Sequence, residues 1–122
     1  DRIMIKDNHI AVLESNTEHS LAEQMDQLRA RFTELPIQIE VDSLDQLNKV
    51  LDAQPDCILL DNFSIEATKE AIHIIGDQAY TEASGGINLN NLADLKNLGL
   101  DFISTGAPVH QSQWVDIGLD WL

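Results

Sequence analysis

The feature that most constrains the fold is an alternation. Apolar runs too short for a helix take turns with longer segments whose apolar residues recur at helical spacing. Ile3-Met4-Ile5, Ile37-Gln38-Ile39-Glu40-Val41, Cys57-Ile58-Leu59-Leu60, Gln78 to Glu82 and Phe102-Ile103-Ser104 read as five strands. The third is apolar throughout, as suits a strand buried on both faces of a parallel sheet. Between the strands, Thr17 to Phe32 carries Leu21, Met25, Leu28 and Phe32 on one helical stripe, with Asn16 or Thr17 as N-cap. A second stripe, Leu44, Leu47, Val50 and Leu51, follows Ser43 and ends before Pro55. A third, Ala67, Ala71, Ile72 and Ile75, lies between Ser64 and a C-capping Gly76. A fourth helix is predicted over Asn88 to Leu98, closed by Gly99. The order β-α-β-α-β-α-β-α-β implies parallel strands with right-handed crossovers, hence an α/β fold. Five such strands make an open sheet or most of a barrel. The tail from Gln111 to Leu122 is expected to pack as a short helix or extended cover over the outer face, with Trp114 and Trp121 as packing anchors.

Composition narrows the partners. Its 122 residues fit one domain. Seven Lys plus Arg against 21 Asp plus Glu give a net charge of −14, which argues against nucleic acid and anionic membrane surfaces as partners. No apolar stretch approaches the roughly 20 residues of a membrane span. The single cysteine, Cys57, cannot form an internal disulfide; inside an apolar run it reads as a buried small residue, not a nucleophile. The expected setting is the cytoplasm. Because the chain opens at Asp1 directly on an apolar run, it is also expected to be part of something longer.

In parallel α/β folds, function gathers where strands end, because the βα loops share one rim. Strand ends here give Lys6, Glu40, Asp61, Ser84-Gly85-Gly86 and Ser104-Thr105-Gly106. The glycine turns would let backbone N–H groups approach an oxyanion, and the predicted helix from Asn88 would add its positive end. They equally suit plain tight turns. Their place after the last two strands, where barrels frequently bind phosphate, favours the first reading. Glu40 and Asp61, ending consecutive strands, should face one rim a few ångströms apart. There they could hold ribose hydroxyls, or a Mg²⁺ shared with a pyrophosphate. Lys6 could meet an anionic substrate, although a lone lysine is more often a surface residue. Asn62 reads first as a turn cap. His9 suits a hydrogen-bonded structural role, His110 stays open, and His19 and His73 read as surface residues. No protein-only metal motif is present.

Met4-Ile5-Lys6-Asp7-Asn8-His9-Ile10, Ile39-Glu40-Val41, Leu59-Leu60-Asp61-Asn62, Glu82-Ala83-Ser84-Gly85-Gly86-Ile87 and Asp101-Phe102-Ile103-Ser104-Thr105-Gly106-Ala107 together resemble the quinolinate phosphoribosyltransferase family, also called nicotinate-nucleotide pyrophosphorylases. The segments keep the family's order and spacing across nearly the whole chain. The resemblance implies the C-terminal part of an α/β (TIM-like) barrel, incomplete in this chain, with the N-terminal domain and first barrel strands absent. It further implies transfer of phosphoribosyl from 5-phosphoribosyl 1-pyrophosphate to quinolinate, yielding nicotinate mononucleotide, CO₂ and pyrophosphate, with Mg²⁺ as cofactor and a homodimer. By position, Lys6 would face quinolinate. Glu40 and Asp61 would hold the ribose hydroxyls and the Mg²⁺-pyrophosphate region, and Ser84, Gly85, Gly86, Thr105 and Gly106 would cradle the 5′-phosphate. The family's other basic quinolinate residues lie upstream of Asp1, so the chain alone is expected to be inactive. Pro108 gives the last loop an unusual sequence. Two alternatives stay open: a related phosphoribosyltransferase with another acceptor, as in the molybdenum-transport-associated homologues, and a non-catalytic phosphate-binding half-barrel.

Overall fold

The computed structural model describes residues 1–15, 19–112, 115 and 117–119, the side chain of Glu14 excepted. Five strands, β1 (Ile3–Ile5), β2 (Ile37–Val41), β3 (Cys57–Asp61), β4 (Tyr80–Ser84) and β5 (Phe102–Ile103), form one parallel sheet in chain order. Among the described residues six helices accompany them: α1 (Asp7–Ser15), α2 (Leu21–Arg31), α3 (Leu47–Asp52), α4 (Ile65–Ile75), α5 (Leu92–Leu95) and α6 (Ala107–His110). A doubly wound sheet reverses its strand order at a switch point. This one never does. Right-handed crossovers that always step the same way keep their helices on one face, which is the wall of an α/β barrel rather than an open sandwich.

Alternation along the strands sorts the two faces. Ile5, Ile37, Ile39, Val41, Ile58 and Leu60 pack against Met25 of α2, Leu47 and Val50 of α3, and Ala71 and Ile75 of α4. Most of these are wholly buried, each contributing roughly 1.5–3 kcal/mol of hydrophobic stabilisation. A smaller cluster, Ala83, Ile87 and Leu95, carries the packing towards β5.

All the strands but the fourth, and the third stripe, stand where the sequence puts them. The Ser64 hydroxyl accepts from the Ala67 N–H at 3.1 Å, and Gly76 closes α4 with a φ of 53°. We expect Ser64→Ala to lower stability by about 1 kcal/mol, read as a reduced urea midpoint; an unchanged midpoint would contradict the capping role.

Several elements differ from the sequence reading. A helix, α1, follows β1 at once, with the Ile10 N–H bonded to the Lys6 carbonyl at 3.0 Å. Its packing rests on Ile10 and Leu13 alone, too few residues to show a period. Helix α2 starts at Leu21 rather than Thr17, under a capping box between Ser20 and Glu23. The candidate caps Asn16 and Thr17 lie outside the described residues. Ser43 makes no side-chain cap; it precedes a 3-10 turn, Leu44–Gln46, that leads into α3.

Strand β4 runs from Tyr80 to Ser84, not Gln78 to Glu82. The Gln78 N–H still bonds the Ile75 carbonyl to close the turn after α4, whereas the Asp101 carboxylate accepts from the Thr81 N–H and hydroxyl. Helix α5 has four residues instead of the predicted Asn88 to Leu98. The Asn91 side chain takes the Asn88 N–H and the Asn88 side chain takes the Asn90 N–H, which competes with helix formation. The expected helix dipole behind the first glycine turn is therefore absent. In the tail, Val115, Ile117 and Leu119 are exposed and belong to no helix or strand, against the expected cover. Trp114 and Trp121 fall outside the described residues.

Candidate active site

The face of the sheet turned away from the helices mixes apolar residues such as Cys57 and Leu59 with polar ones, and several of the polar groups converge at the C-terminal ends of the strands. The chain leaves β1 at Lys6, whose ammonium lies 3.3 Å from the Glu40 carboxylate of β2. Lys6 is half exposed and Glu40 largely covered, so the pair is open to an incoming anion from the lysine side. The Lys6 N–H donates to His9 Nδ1 at 3.1 Å, so His9 fixes the turn into α1, as expected.

Asp61 ends β3 on the same face. One carboxylate oxygen accepts from the Ser84 hydroxyl at 2.7 Å, the other from the Asn62 amide at 2.8 Å. Its direct neighbour in the ladder is Ser84, while Glu40 pairs with Leu59. Glu40 and Asp61 are therefore one strand over and two residues along from each other, roughly 8 Å apart at their backbones, wider than the few ångströms expected from the sequence. That gap suits two hydroxyls of a sugar or a cation with its own ligands.

Asn62 adopts a φ of 55° and its N–H bonds the Ser84 carbonyl at 3.0 Å, bringing it against the first glycine turn. A Cβ on Gly85 would overlap the Asn62 side chain and come within 2.8 Å of its backbone nitrogen, and Gly85 has a φ of 83°. Gly86, with a φ of 60°, has open space where a Cβ would go. Both positions want glycine, but Gly85 is the stricter. The second turn starts with Ser104, whose N–H bonds the Ala83 carbonyl at 2.9 Å. The Thr105 hydroxyl bonds the Ile87 carbonyl and accepts from the Ala107 N–H. A cleft of about 280 Å³ separates the two turns, lined by Gly85, Gly86, Thr105 and Gly106 and bordered by His110. A Cβ on Gly106 would lie 2.8 Å from His110, so the imidazole packs on that turn.

Two residues of this face escape sequence reading. Glu82, mid-strand in β4 and 4% exposed, accepts from Arg2 at 2.8 Å, from Gln38 at 2.7 Å and from the Ser104 hydroxyl. Arg2 belongs to the β1 edge. In a flat sheet the strands carrying this pair would be roughly 14 Å apart, so their ion pair reports a strongly curled wall. Burial pushes the Glu82 carboxyl up, but the hydrogen bonds from Ser104, Gln38 and Arg2 more than offset it, leaving it below the ordinary value of 4.5. A lowered carboxyl contributes stability above its unfolded value, lost as pH falls through the folded one. The urea midpoint advantage of the wild type over Glu82→Gln should therefore shrink from about pH 5 downward; a constant gap would contradict this. Cys57, beside Gln38, is raised by burial above its ordinary thiol value, which fits an unreactive core residue.

A bound metal would have to draw its donors from this rim. Among the described residues no group of three or more His, Cys, Asp or Glu side chains could hold one. Glu40 and Asp61 fit only as two carboxylates of a cation whose remaining ligands come with a phosphate substrate, which is how Mg²⁺ is commonly bound.

Comparison with known proteins decides the family. Residues 1–120 match the family described as quinolinate phosphoribosyl transferase, C-terminal domain. The chain belongs to that family. It is 40% identical over 123 residues to the nicotinate-nucleotide pyrophosphorylase [carboxylating] of Mycobacterium leprae, covering 98% of this chain and 42% of that protein. The solved nicotinate-nucleotide pyrophosphorylase of Ehrlichia chaffeensis superimposes with a TM-score of 0.81 at 38% identity, over 98% of this chain and 42% of that one. A putative pyrophosphorylase ModD of Pasteurella multocida is 34% identical over 86 residues, 68% of this chain and 30% of that protein. The chain thus spans well under half the length of these relatives. The likeness to the Ehrlichia structure also places the curled five-stranded wall as part of a larger α/β barrel, incomplete here.

Proposed function

We propose that the protein containing this chain transfers phosphoribosyl from 5-phosphoribosyl 1-pyrophosphate to quinolinate, yielding nicotinate mononucleotide, CO₂ and pyrophosphate. The observation that carries the reading is the shared rim of one parallel sheet in a member of this family: a lysine, two carboxylates and two glycine turns. The 5′-phosphate sits between the Gly85-Gly86 and Thr105-Gly106 turns, held by their N–H groups and by Ser84. Asp61, oriented by Ser84 and Asn62, and Glu40, steadied by Lys6, accept the ribose hydroxyls. Lys6 meets the quinolinate side. Mg²⁺, arriving with pyrophosphate, would supply neutralisation of the leaving group, with Glu40 and Asp61 as its protein carboxylates. The two aligned acids also favour the positive charge that grows on the sugar ring as its bond to pyrophosphate breaks and the bond to the acceptor nitrogen forms.

Arg2 and Lys6, the cations nearest this rim, are each already paired with a glutamate. Further positive charge for a dicarboxylate and a pyrophosphate has to come from outside the chain, from an upstream segment or a partner subunit in a homodimer of cytoplasmic enzyme. The test is a coupled assay of a full-length protein carrying this chain. Quinolinate-dependent release of pyrophosphate is expected, and its absence would overturn the reading. A second reading is the same transfer to a different acceptor, since one relative, the putative pyrophosphorylase ModD, is not named for nicotinate nucleotide. Pyrophosphate release with another acceptor but not with quinolinate would select it.

A further inference from the structure

Strand β5 is an edge strand paired over only two residues, Glu82 with Phe102 and Ala83 with Ile103. Such a short ladder is a weak anchor for the Thr105-Gly106 turn that follows it. What steadies the turn is a side-chain link beneath it: the Ser104 hydroxyl donates to Glu82 Oε1, while Arg2 and Gln38 hold the other oxygen, Oε2. Above, the Thr105 hydroxyl bonds the Ile87 carbonyl in the loop that carries the other glycine turn. Three donors converge on Glu82, and a carboxylate, which only accepts, satisfies them all. An amide there would turn an NH₂ towards one of them.

We infer that Glu82 and Ser104 form a positioning pair that sets the spacing of the two glycine turns, with Arg2 bracing Glu82 from the opposite side of the curled wall. Ser104 borders the cleft, but its hydroxyl is taken up by Glu82 rather than left for the phosphate. Their effect reaches it through the backbone N–H groups of Thr105 and Gly106, so it falls on the phosphoribosyl donor and not on the acceptor. This rests on the phosphate reading of the cleft.

The decisive variant is Ser104→Ala in a full-length protein carrying this chain, beside Ser104→Thr, which keeps the hydroxyl. Ser104→Ala should raise KM for 5-phosphoribosyl 1-pyrophosphate about tenfold, the equivalent of one hydrogen bond. The acceptor KM should not change, kcat should stay within about twofold, and Ser104→Thr should restore the donor KM. A lowered melting temperature with an unmoved donor KM would overturn the inference, as would equal changes in both KM values. Absence of turnover in the wild type would instead overturn the functional reading. Titration of wild type and Ser104→Ala with inorganic phosphate would then decide the pair's role alone, with weaker binding in the variant expected and equal binding contradicting it.

Discussion

Gly85→Ala should abolish useful affinity for the 5′-phosphate. The added Cβ would overlap the Asn62 side chain and crowd its backbone nitrogen, and the residue sits at a φ of 83°, which alanine adopts only under strain. Neither obstacle yields cheaply, because Asn62 is itself held by the Ser84 carbonyl and by Asp61. The turn has to move, and the N–H groups proposed to hold the phosphate move with it. Hydrogen bonds to a charged group are each worth roughly 1.5–3 kcal/mol, so losing two weakens binding by about a hundredfold or more. Gly86→Ala meets open space and faces only the cost of its φ, on the order of 1–2 kcal/mol. The two substitutions thus separate a shaped phosphate cradle from a tight turn. Equal effects of both on the Kd for nicotinate mononucleotide would contradict the cradle.

Asp61→Asn should leave the fold intact and lower kcat/KM for 5-phosphoribosyl 1-pyrophosphate by about 10²–10³-fold. The change is isosteric and partly exposed; the Ser84 hydroxyl can still donate to the remaining carbonyl oxygen, and the exposed Asn62 amide can turn over to accept from the new NH₂. What disappears is the negative charge facing the sugar and any cation brought by pyrophosphate. A melting temperature within a few degrees of wild type, together with the kinetic loss, would place the effect in the chemistry. Full activity in Asp61→Asn would remove Asp61 from the site.

Much of this arrangement is legible in the sequence, for reasons that can be named. The run Cys57 to Leu60 is apolar on both phases, so its strand character and the partly exposed station of Asp61 at its end follow together. Ser64 and Gly76 punctuate α4 because each satisfies a local backbone need without help from elsewhere. Where the sequence misleads, the deciding partner is distant. Leu60 and Asp61 of β3 pair β4 two residues beyond the predicted end at Glu82, while Asp101 holds its start at Thr81. The mutual bonds of Asn88, Asn90 and Asn91 replace most of a predicted helix. Arg2 and Glu82 are 80 residues apart and meet only because the sheet curls. A signal for them does exist. In β4 Glu82 shares its phase with Ser84, and Arg2 shares its phase with Lys6, so both lie on the face that carries the site.

The central claim is that the glycine turns and the Asp61 end of this sheet hold the phosphate and ribose of one nucleotide. A calorimetric titration of the chain with nicotinate mononucleotide, beside Gly85→Ala, tests it most directly. Saturable binding at one site in the wild type, lost in the variant, is the expected result. Undiminished binding in Gly85→Ala would contradict the claim, because the phosphate would then be held somewhere other than between these two turns.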